Sequence, residues 1–237
     1  MRKYTLVIFI ISLIISNTFV SSNYAEAKSK RQTKKTEKVK TKNKKRYSTN
    51  HRKPYPPFQS LMILEKYFPE YKQIISESKV TQIQPISYSE AVDKNNIFYD
   101  NNLKAKLLIN INNWLGTPYK RGGHSKAGVD CSNFTSCIIE EIFGGNFPRS
   151  PKAQVKFFKP IDKIEDLQFG DFIFFSGTRK SSNRISHVGI YIGNGCFAHS
   201  SSSSRHWGVV FTHINSGNYM KRFRFGGRLN KSSWVKL

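Results

Sequence analysis

Three residues have the types that thiol-based catalysis needs: Cys131, His187 and His199. Cys131 lies between Asp130 and Ser132, and an apolar stripe at helical spacing follows it, which predicts that it begins a helix. Asp130 is a suitable N-cap for that helix. Because a helix N-terminus carries partial positive charge and favours a thiolate, we expect a nucleophile at Cys131.

The two histidines, His187 and His199, flank a predicted hairpin. Twelve positions separate them, and the strong turn Gly193-Asn194-Gly195 lies between two apolar runs. We expect this turn to bring the imidazoles level and adjacent on neighbouring strands. One imidazole then accepts the thiol proton, and the second orients the first through its other ring nitrogen.

The remaining cysteines, Cys137 and Cys196, show no sign of a catalytic role. Cys137 lies on the apolar face of the predicted helix, and strand alternation points Cys196 away from His199, so both are expected in the core. Zinc is the alternative use of cysteines and histidines, with Cys131, Cys137, His187 and His199 as the candidate ligands. Six positions between the two cysteines place them on different sides of a helix, and no short ligand pair is present. We therefore expect no metal, and nothing in the sequence indicates another cofactor.

The elements that must position these residues follow from the same patterns. Helical spacing over 103–115 ends at Gly116, the helix after Cys131 ends at Gly144-Gly145, and 172–175 reads as a buried strand. Residues 54–100 show helical spacing broken near Pro69, which predicts a short helical pair covering part of the domain 101–237.

The first 27 residues are typical of a secretory signal peptide. A basic start precedes an apolar run at 6–15, and the small residues Ala25 and Ala27 form the expected cleavage site. The run is shorter than the ~20 residues that span a bilayer. A retained anchor and a buried core helix are the alternatives. We expect cleavage after Ala27 and a mature protein outside the cytoplasm, whether periplasmic, in the cell envelope or secreted.

Residues 28–53 form a basic segment that we expect to be a disordered linker. They hold 13 Lys and Arg and one acid, which supply +12 of the net charge of +24 of the 237-residue chain. Export removes most of the case for nucleic acid, so we expect none. Anionic envelope polymers or lipid are the expected partners, and a spacer without a partner is the alternative. Elsewhere the chain is apolar enough for a core, with 38% hydrophobic residues overall.

The ordered set of motifs over 103–229 resembles the NlpC-type cell-wall peptidases, a family of papain-like cysteine peptidases that act as murein endopeptidases. The segments that carry the resemblance are Leu115-Gly116-Thr117-Pro118-Tyr119, Gly122-Gly123, Gly128-Val129-Asp130-Cys131-Ser132, Phe147-Pro148-Arg149-Ser150 with Gln154, Gly170-Asp171-Phe172, 187–193 and Phe197-Ala198-His199. Each segment alone is weak evidence for the family, whereas the presence of all of them in the family order is strong evidence.

The resemblance implies an α+β fold, a papain-like core with a central antiparallel sheet and the nucleophile at the N-terminus of a packed helix. It implies that Cys131 is the nucleophile, His187 the general base and acid, and His199 the orienting residue. Tyr119 would lie beside the nucleophile and hold substrate or oxyanion, and Asp130 and Ser132 would shape the groove for the stem peptide.

The activity implied is hydrolysis of a peptide bond in peptidoglycan stems, often between D-glutamate and a diamino acid, without a cofactor. The chain departs from the family pattern at Arg121, where Trp is common, and at Asn133, where Gly is usual. The alternatives are a thiol amidase or a lipid acyltransferase on a related core, and a non-enzymatic basic envelope-binding protein. Cys131 precedes both histidines, an order that favours the peptidase over the acyltransferase.

Overall fold

An antiparallel sheet and the helices packed on it make up the part of the chain that the structure describes. This computed structural model describes residues 52–78, 80, 98, 100–178 and 183–229. The helices are α1 Pro57–Tyr67, α2 Tyr71–Glu77, α3 Asn101–Trp114, α4 Cys131–Phe143, α5 Pro151–Gln154 and α6 Tyr219–Arg222. The strands are β1 His124–Ser125, β2 Gly128–Val129, β3 Phe158–Ile161, β4 Phe172–Ser176, β5 Ile185–Gly193, β6 Cys196–Ser202, β7 Trp207–His213 and β8 Phe223–Leu229.

Six of these strands form one sheet in the order β3-β8-β4-β5-β6-β7, and β1 and β2 pair separately. Every neighbouring pair is antiparallel. Helices with a central antiparallel sheet are the expected α+β arrangement, so the predicted fold class is confirmed.

The two helices predicted on either side of the Gly122-Gly123 loop are present. Asp100 caps α3 by accepting hydrogen bonds from the backbone N–H groups of Asn102 at 2.7 Å and Leu103 at 3.2 Å. Gly116, which follows α3, has a φ of 78°, a conformation that glycine adopts without strain. The stop predicted at this glycine is confirmed.

The main core lies between the sheet and helices α3 and α4. Its fully buried side chains include Leu107, Ile111, Phe134, Ile138 and Phe172. A smaller apolar cluster that includes Ile173, Phe175 and Phe197 forms a second core. Neighbours in sequence along β4 thus belong to different clusters, as the alternation of a strand requires. The helix that begins at Cys131 is therefore held against the central strands.

The helical pair predicted within 54–100 is confirmed over 57–77, with the break at Pro69. Helix α1 packs on β7, where the Ser60 hydroxyl accepts a hydrogen bond from the backbone N–H of Phe211 at 2.7 Å. Leu64 and Phe68 belong to the main core. This segment is thus part of the same packing as the sheet.

The predicted signal peptide, 1–27, and most of the basic linker, 28–53, lie outside the described residues, and the domain boundaries stay predictions. None of the helices that the structure describes combines the length and apolarity needed to cross a membrane.

Candidate active site

Cys131 is the first residue of α4, as predicted. The Asp130 carboxylate caps the helix and accepts a hydrogen bond from the backbone N–H of Asn133 at 2.9 Å. Only 6% of the Cys131 surface is exposed. The cap fixes the backbone at the helix start, so it also fixes where the thiol projects.

Asp130 also binds the loops around the helix start. One of its oxygens accepts a hydrogen bond from the backbone N–H of Gly122 at 2.8 Å, and the other lies 3.0 Å from the Ser132 hydroxyl. The Ser132 hydroxyl is also 3.0 Å from the carbonyl oxygen of Arg149. Asp130 and Ser132 therefore connect the helix to two loops, and their side-chain oxygens are engaged within the protein.

His187 and His199 are hydrogen-bonded to each other across the β5–β6 hairpin. The Nε2 atom of His187 lies 2.8 Å from Nδ1 of His199, and the two rings are nearly perpendicular, at 88°. The Nε2 atom of His199 lies 3.0 Å from the Thr212 hydroxyl on β7. Three neighbouring strands thus supply a continuous row of polar groups.

The register of the hairpin differs from the prediction in one respect. The turn itself is confirmed, with positive φ at Asn194 and Gly195. Ile190 pairs with Ala198, so His199 on β6 is offset from His187 and is not level with it. Gly189 lies beside His199, and a Cβ there would be 2.8 Å from the Ala198 carbonyl oxygen. The offset brings the rings together diagonally, because long side chains reach the diagonal neighbour of an antiparallel pair.

A cavity of about 270 Å³ contains the candidate nucleophile and base. Cys131, His187 and Tyr119 all line it. Tyr119 packs edge-on against Trp207 with 5.3 Å between ring centroids, and its backbone bridges Val129, two residues before Cys131. The structure therefore places Tyr119 at the same cavity as Cys131.

The thiol and the first imidazole are electrically neutral at neutral pH. Burial, with a smaller contribution from the Asp130 charge, raises the pKa of Cys131 to about 12, although the backbone amides of Val188, Ser132 and Cys131 act in the opposite direction. Burial lowers the pKa of His187 to about 3, and the charge of Arg222 adds to this. Burial also holds the pKa of His199 well below its usual range.

These directions correct the expectation of a thiolate at Cys131. The helix N-terminus was expected to lower the thiol pKa. Burial of the sulfur, however, destabilises the thiolate more than the backbone amide groups stabilise it. The resting site therefore holds a thiol beside a neutral imidazole.

Cys137 and Cys196 lie apart from this cavity. Cys196 is fully buried in the main core, which confirms that expectation, whereas Cys137 is half-buried at its edge. Within the described part of the chain, no group of three His, Cys, Asp or Glu side chains is arranged to hold a metal ion.

Two residues of the site carried no signal in the sequence. Thr212 extends the polar row beyond His199, and Arg222 lines the cavity beside His187. Thr212 comes from a strand that is buried along almost its whole length, so no alternation marks it as facing the histidines. Arg222 is one of several basic residues near the C-terminus, and only the three-dimensional structure separates it from the others.

Asn133, one of the two departures from the family pattern, is 5% exposed at the start of α4. Its backbone N–H is bound by Asp130, but its side-chain oxygen has no hydrogen-bond partner among the described residues. The larger side chain is therefore accommodated at the helix start with an unsatisfied oxygen.

The fold and the site together define an α+β protein of the papain-like type, with a thiol and a histidine pair around one cavity. The NlpC/P60 family model matches residues 116–228. A protein of Escherichia coli, murein DD-endopeptidase MepS/murein LD-carboxypeptidase, is 30% identical over 161 residues, or 68% of this chain and 78% of that protein. Another Escherichia coli protein, probable endopeptidase NlpC, is 38% identical over 119 residues, or 50% of this chain and 73% of that protein.

A solved structure agrees at the level of the fold. A protein of the NLP/P60 family from Staphylococcus aureus, described as similar to a lipoprotein, superposes with a TM-score of 0.50 at 23% identity. The superposition covers 59% of this chain and 45% of that one. The chain belongs to the NlpC/P60 family.

Proposed function

We propose that the protein is an exported peptidoglycan endopeptidase that hydrolyses a peptide bond within the stem peptides of murein. Cys131 is the nucleophile, His187 the general base and acid, and His199 the residue that orients His187. The observation that carries the proposal is the hydrogen bond between the two histidines, with His187 and Cys131 lining one cavity. The endopeptidase names of the family relatives support the same reaction class.

The hydrogen bonds define which nitrogen acts. His187 can accept the thiol proton only through an unprotonated nitrogen, and its Nε2 is occupied by His199, so the acceptor is Nδ1. Nε2 of His187 then donates to Nδ1 of His199. The hydrogen of His199 consequently lies on Nε2 and is donated to the Thr212 hydroxyl. Each ring nitrogen in the row has one role.

The reaction follows in two stages. Cys131 loses its proton to Nδ1 of His187 as the sulfur attacks the scissile carbonyl, and the backbone N–H of Cys131 and Tyr119 stabilise the oxyanion. The imidazolium returns the proton to the leaving amine, and the C–N bond breaks to leave a thioester. Water then attacks the thioester with His187 as base, which releases the acid and restores the thiol.

The substrate assignment rests on relatives as well as on the site. The names of both Escherichia coli proteins specify an endopeptidase, and the name of the first also specifies murein. We assign the bond between D-glutamate and a diamino acid as the point of cleavage. Asp130 and Ser132 hydrogen-bond to the backbone of Gly122 and Arg149, and neither side chain is among those that line the cavity of Cys131 in the described structure.

Export and wall binding complete the proposal. Residues 1–27 direct export and are removed, and the basic linker 28–53 holds the enzyme near anionic envelope polymers or lipid. Because this attraction is electrostatic, protein lacking residues 28–53 should bind sacculi more weakly at low salt and equally at high salt. N-terminal sequencing of the exported protein tests cleavage after Ala27.

The bond is tested with a defined disaccharide stem peptide, incubated with residues 28–237 and analysed by mass spectrometry. Two fragments split between D-glutamate and the diamino acid support the proposal. An intact stem separated from its sugar would identify an amidase, and transfer of a fatty acyl group would identify an acyltransferase. An unchanged substrate with salt-sensitive binding to sacculi would indicate a non-enzymatic wall-binding protein.

A further inference from the structure

A second, larger groove adjoins the cavity of Cys131. Its volume is about 580 Å³, and it shares Thr178, His187, Ser202 and Arg222 with the first cavity. The serine-rich end of β6 and the turn before β7, residues 201–206, form another part of its wall. A peptide that places its scissile bond at Cys131 has this polar groove as a continuous path.

The charged side chains that line the two cavities are all positive. Arg205 and Arg222 line the groove, Arg222 also lines the cavity of Cys131, and no Asp or Glu is among the residues that line either space in the described structure. A ligand in this space therefore meets positive charge and hydroxyl groups.

Arg222 is held in place by part of its guanidinium. Its Nε donates to the carbonyl oxygen of Ser176 at 2.9 Å, which is the only hydrogen bond of this guanidinium among the described residues. The guanidinium carbon lies 5.5 Å from the ring centre of Tyr219. Within the described part of the chain, these contacts hold the group through Nε and its face and leave the two terminal nitrogens without a hydrogen bond. Two such nitrogens match the two oxygens of a carboxylate.

The electrostatics agree with an unpaired cation near the reacting groups. Burial lowers the pKa of Arg222, with opposing contributions from Tyr219 and Cys131 and none from a carboxylate. The charge of Arg222 also lowers the pKa of both His187 and His199. A partly buried guanidinium without a counterion is costly, and a bound anion would offset that cost.

We propose that Arg222 binds a carboxylate of the stem peptide beside the scissile bond and thereby determines which stem peptides are cleaved. This rests on the proposed endopeptidase function. In a bond between D-glutamate and a diamino acid, one carboxyl group of the glutamate is consumed and the other is free. A diamino acid that has an additional carboxyl group outside the peptide bonds supplies the second possible carboxylate. Conversion of either group to a carboxamide removes the charge and keeps the shape.

The test compares three synthetic stem peptides that differ only in these groups. The first has both carboxylates, the second has the glutamyl carboxamide, and the third has the carboxamide on the diamino acid. We measure kcat/KM for the intact mature protein and for Arg222→Gln and Arg222→Lys. The matched control is Arg224→Gln, because Arg224 is exposed two residues away and lines neither cavity.

Wild-type protein should cleave the doubly charged peptide on the order of tenfold or more faster than one of the two amides, since a charge-assisted pair is lost. The slower amide identifies which carboxylate is bound. Arg222→Gln should cleave all three peptides at similar rates, Arg222→Lys should restore part of the preference, and Arg224→Gln should keep all of it. Thermal unfolding verifies that each variant is folded.

Two results would overturn the inference. Equal rates for the three peptides with wild-type protein would show that no carboxylate is recognised. An equal loss on all three peptides in Arg222→Gln would mean that Arg222 acts on the reacting groups and not on the substrate. Both results require cleavage by the wild-type protein, so they are distinct from failure of the endopeptidase proposal, in which no peptide is cleaved.

Discussion

Nε2 of His187 and Nδ1 of His199 lie 2.8 Å apart although the two residues are offset along their strands. This hydrogen bond occupies Nε2 of His187, so Nδ1 is the nitrogen left for the thiol proton in the proposed reaction. The bond needs close approach of β5 and β6, where Gly189 leaves no room for a Cβ. The orientation of the proposed base is therefore determined by the sheet.

The first prediction concerns the hydrogen-bonded row of His187, His199 and Thr212. His199→Ala should lower kcat by roughly a hundredfold with little change in KM, because His199 positions the base and does not touch substrate. Thr212→Val removes only the acceptor for His199 Nε2 and should cause a smaller loss in kcat. Steady-state kinetics on a stem peptide measure both. A large rise in KM with unchanged kcat would contradict a positioning role.

The second prediction concerns the charge of the resting thiol. Because burial raises the pKa of Cys131 to about 12, its thiolate fraction should rise about tenfold per pH unit between pH 6 and 9. The rate of alkylation by iodoacetamide, located by peptide mass spectrometry, should rise with the same slope. Labelling measured in Cys131→Ala gives the separate contribution of Cys137. A constant rate across this range would show a preformed ion pair with His187.

The third prediction separates the two effects of Asp130. Asp130→Asn keeps a capping oxygen and removes the charge that raises the pKa of Cys131, so alkylation of Cys131 should be faster than in wild type. Asp130→Ala also removes the cap and should lower the free energy of unfolding by about 1 kcal/mol or more. Alkylation rates measure the effect of the charge in Asp130→Asn, and urea unfolding measures the effect of the cap in Asp130→Ala. Slower alkylation in Asp130→Asn would contradict the electrostatic argument.

Much of the fold followed from local patterns. The apolar stripe after Cys131 predicted α4, and Asn194 with Gly195 predicted the hairpin, because helix spacing and turn residues act over a few positions. Cys131, His187 and His199 could be named from the sequence because each lies on one of these local patterns. Tyr119 followed from the family resemblance alone.

The remaining features depend on distant parts of the chain. The offset between His187 and His199 is set by pairing across three strands, which the length of the turn does not define. The raised pKa of Cys131 comes from burial under other elements, whereas the sequence shows only the helix start. Arg222 reaches the cavity through the position of α6 after β7, and no local pattern distinguishes it from Lys221 or Arg224.

The fourth prediction concerns stability below neutral pH. The pKa of His187 is lowered to about 3 in the folded protein, so below its unfolded value near 6.5 the unfolded chain binds the additional proton. The free energy of unfolding should therefore fall as pH drops from about 6.5, by up to about 1.4 kcal/mol per pH unit for each buried histidine.

Urea unfolding at pH 7, 6 and 5 measures this slope. His187→Gln should reduce the slope, because the glutamine does not titrate. Equal slopes for wild type and His187→Gln would show that His187 does not stay neutral in the folded state.

The central claim, that Cys131 is the nucleophile of a murein endopeptidase, is tested most directly by digestion of purified sacculi with residues 28–237 and with single cysteine variants. Wild type and Cys137→Ala should release soluble fragments cut within the stem peptide, and Cys131→Ala should release none. Mass spectrometry of the soluble fraction provides the measurement. Equal release by Cys131→Ala, with the variant verified as folded, would contradict the account.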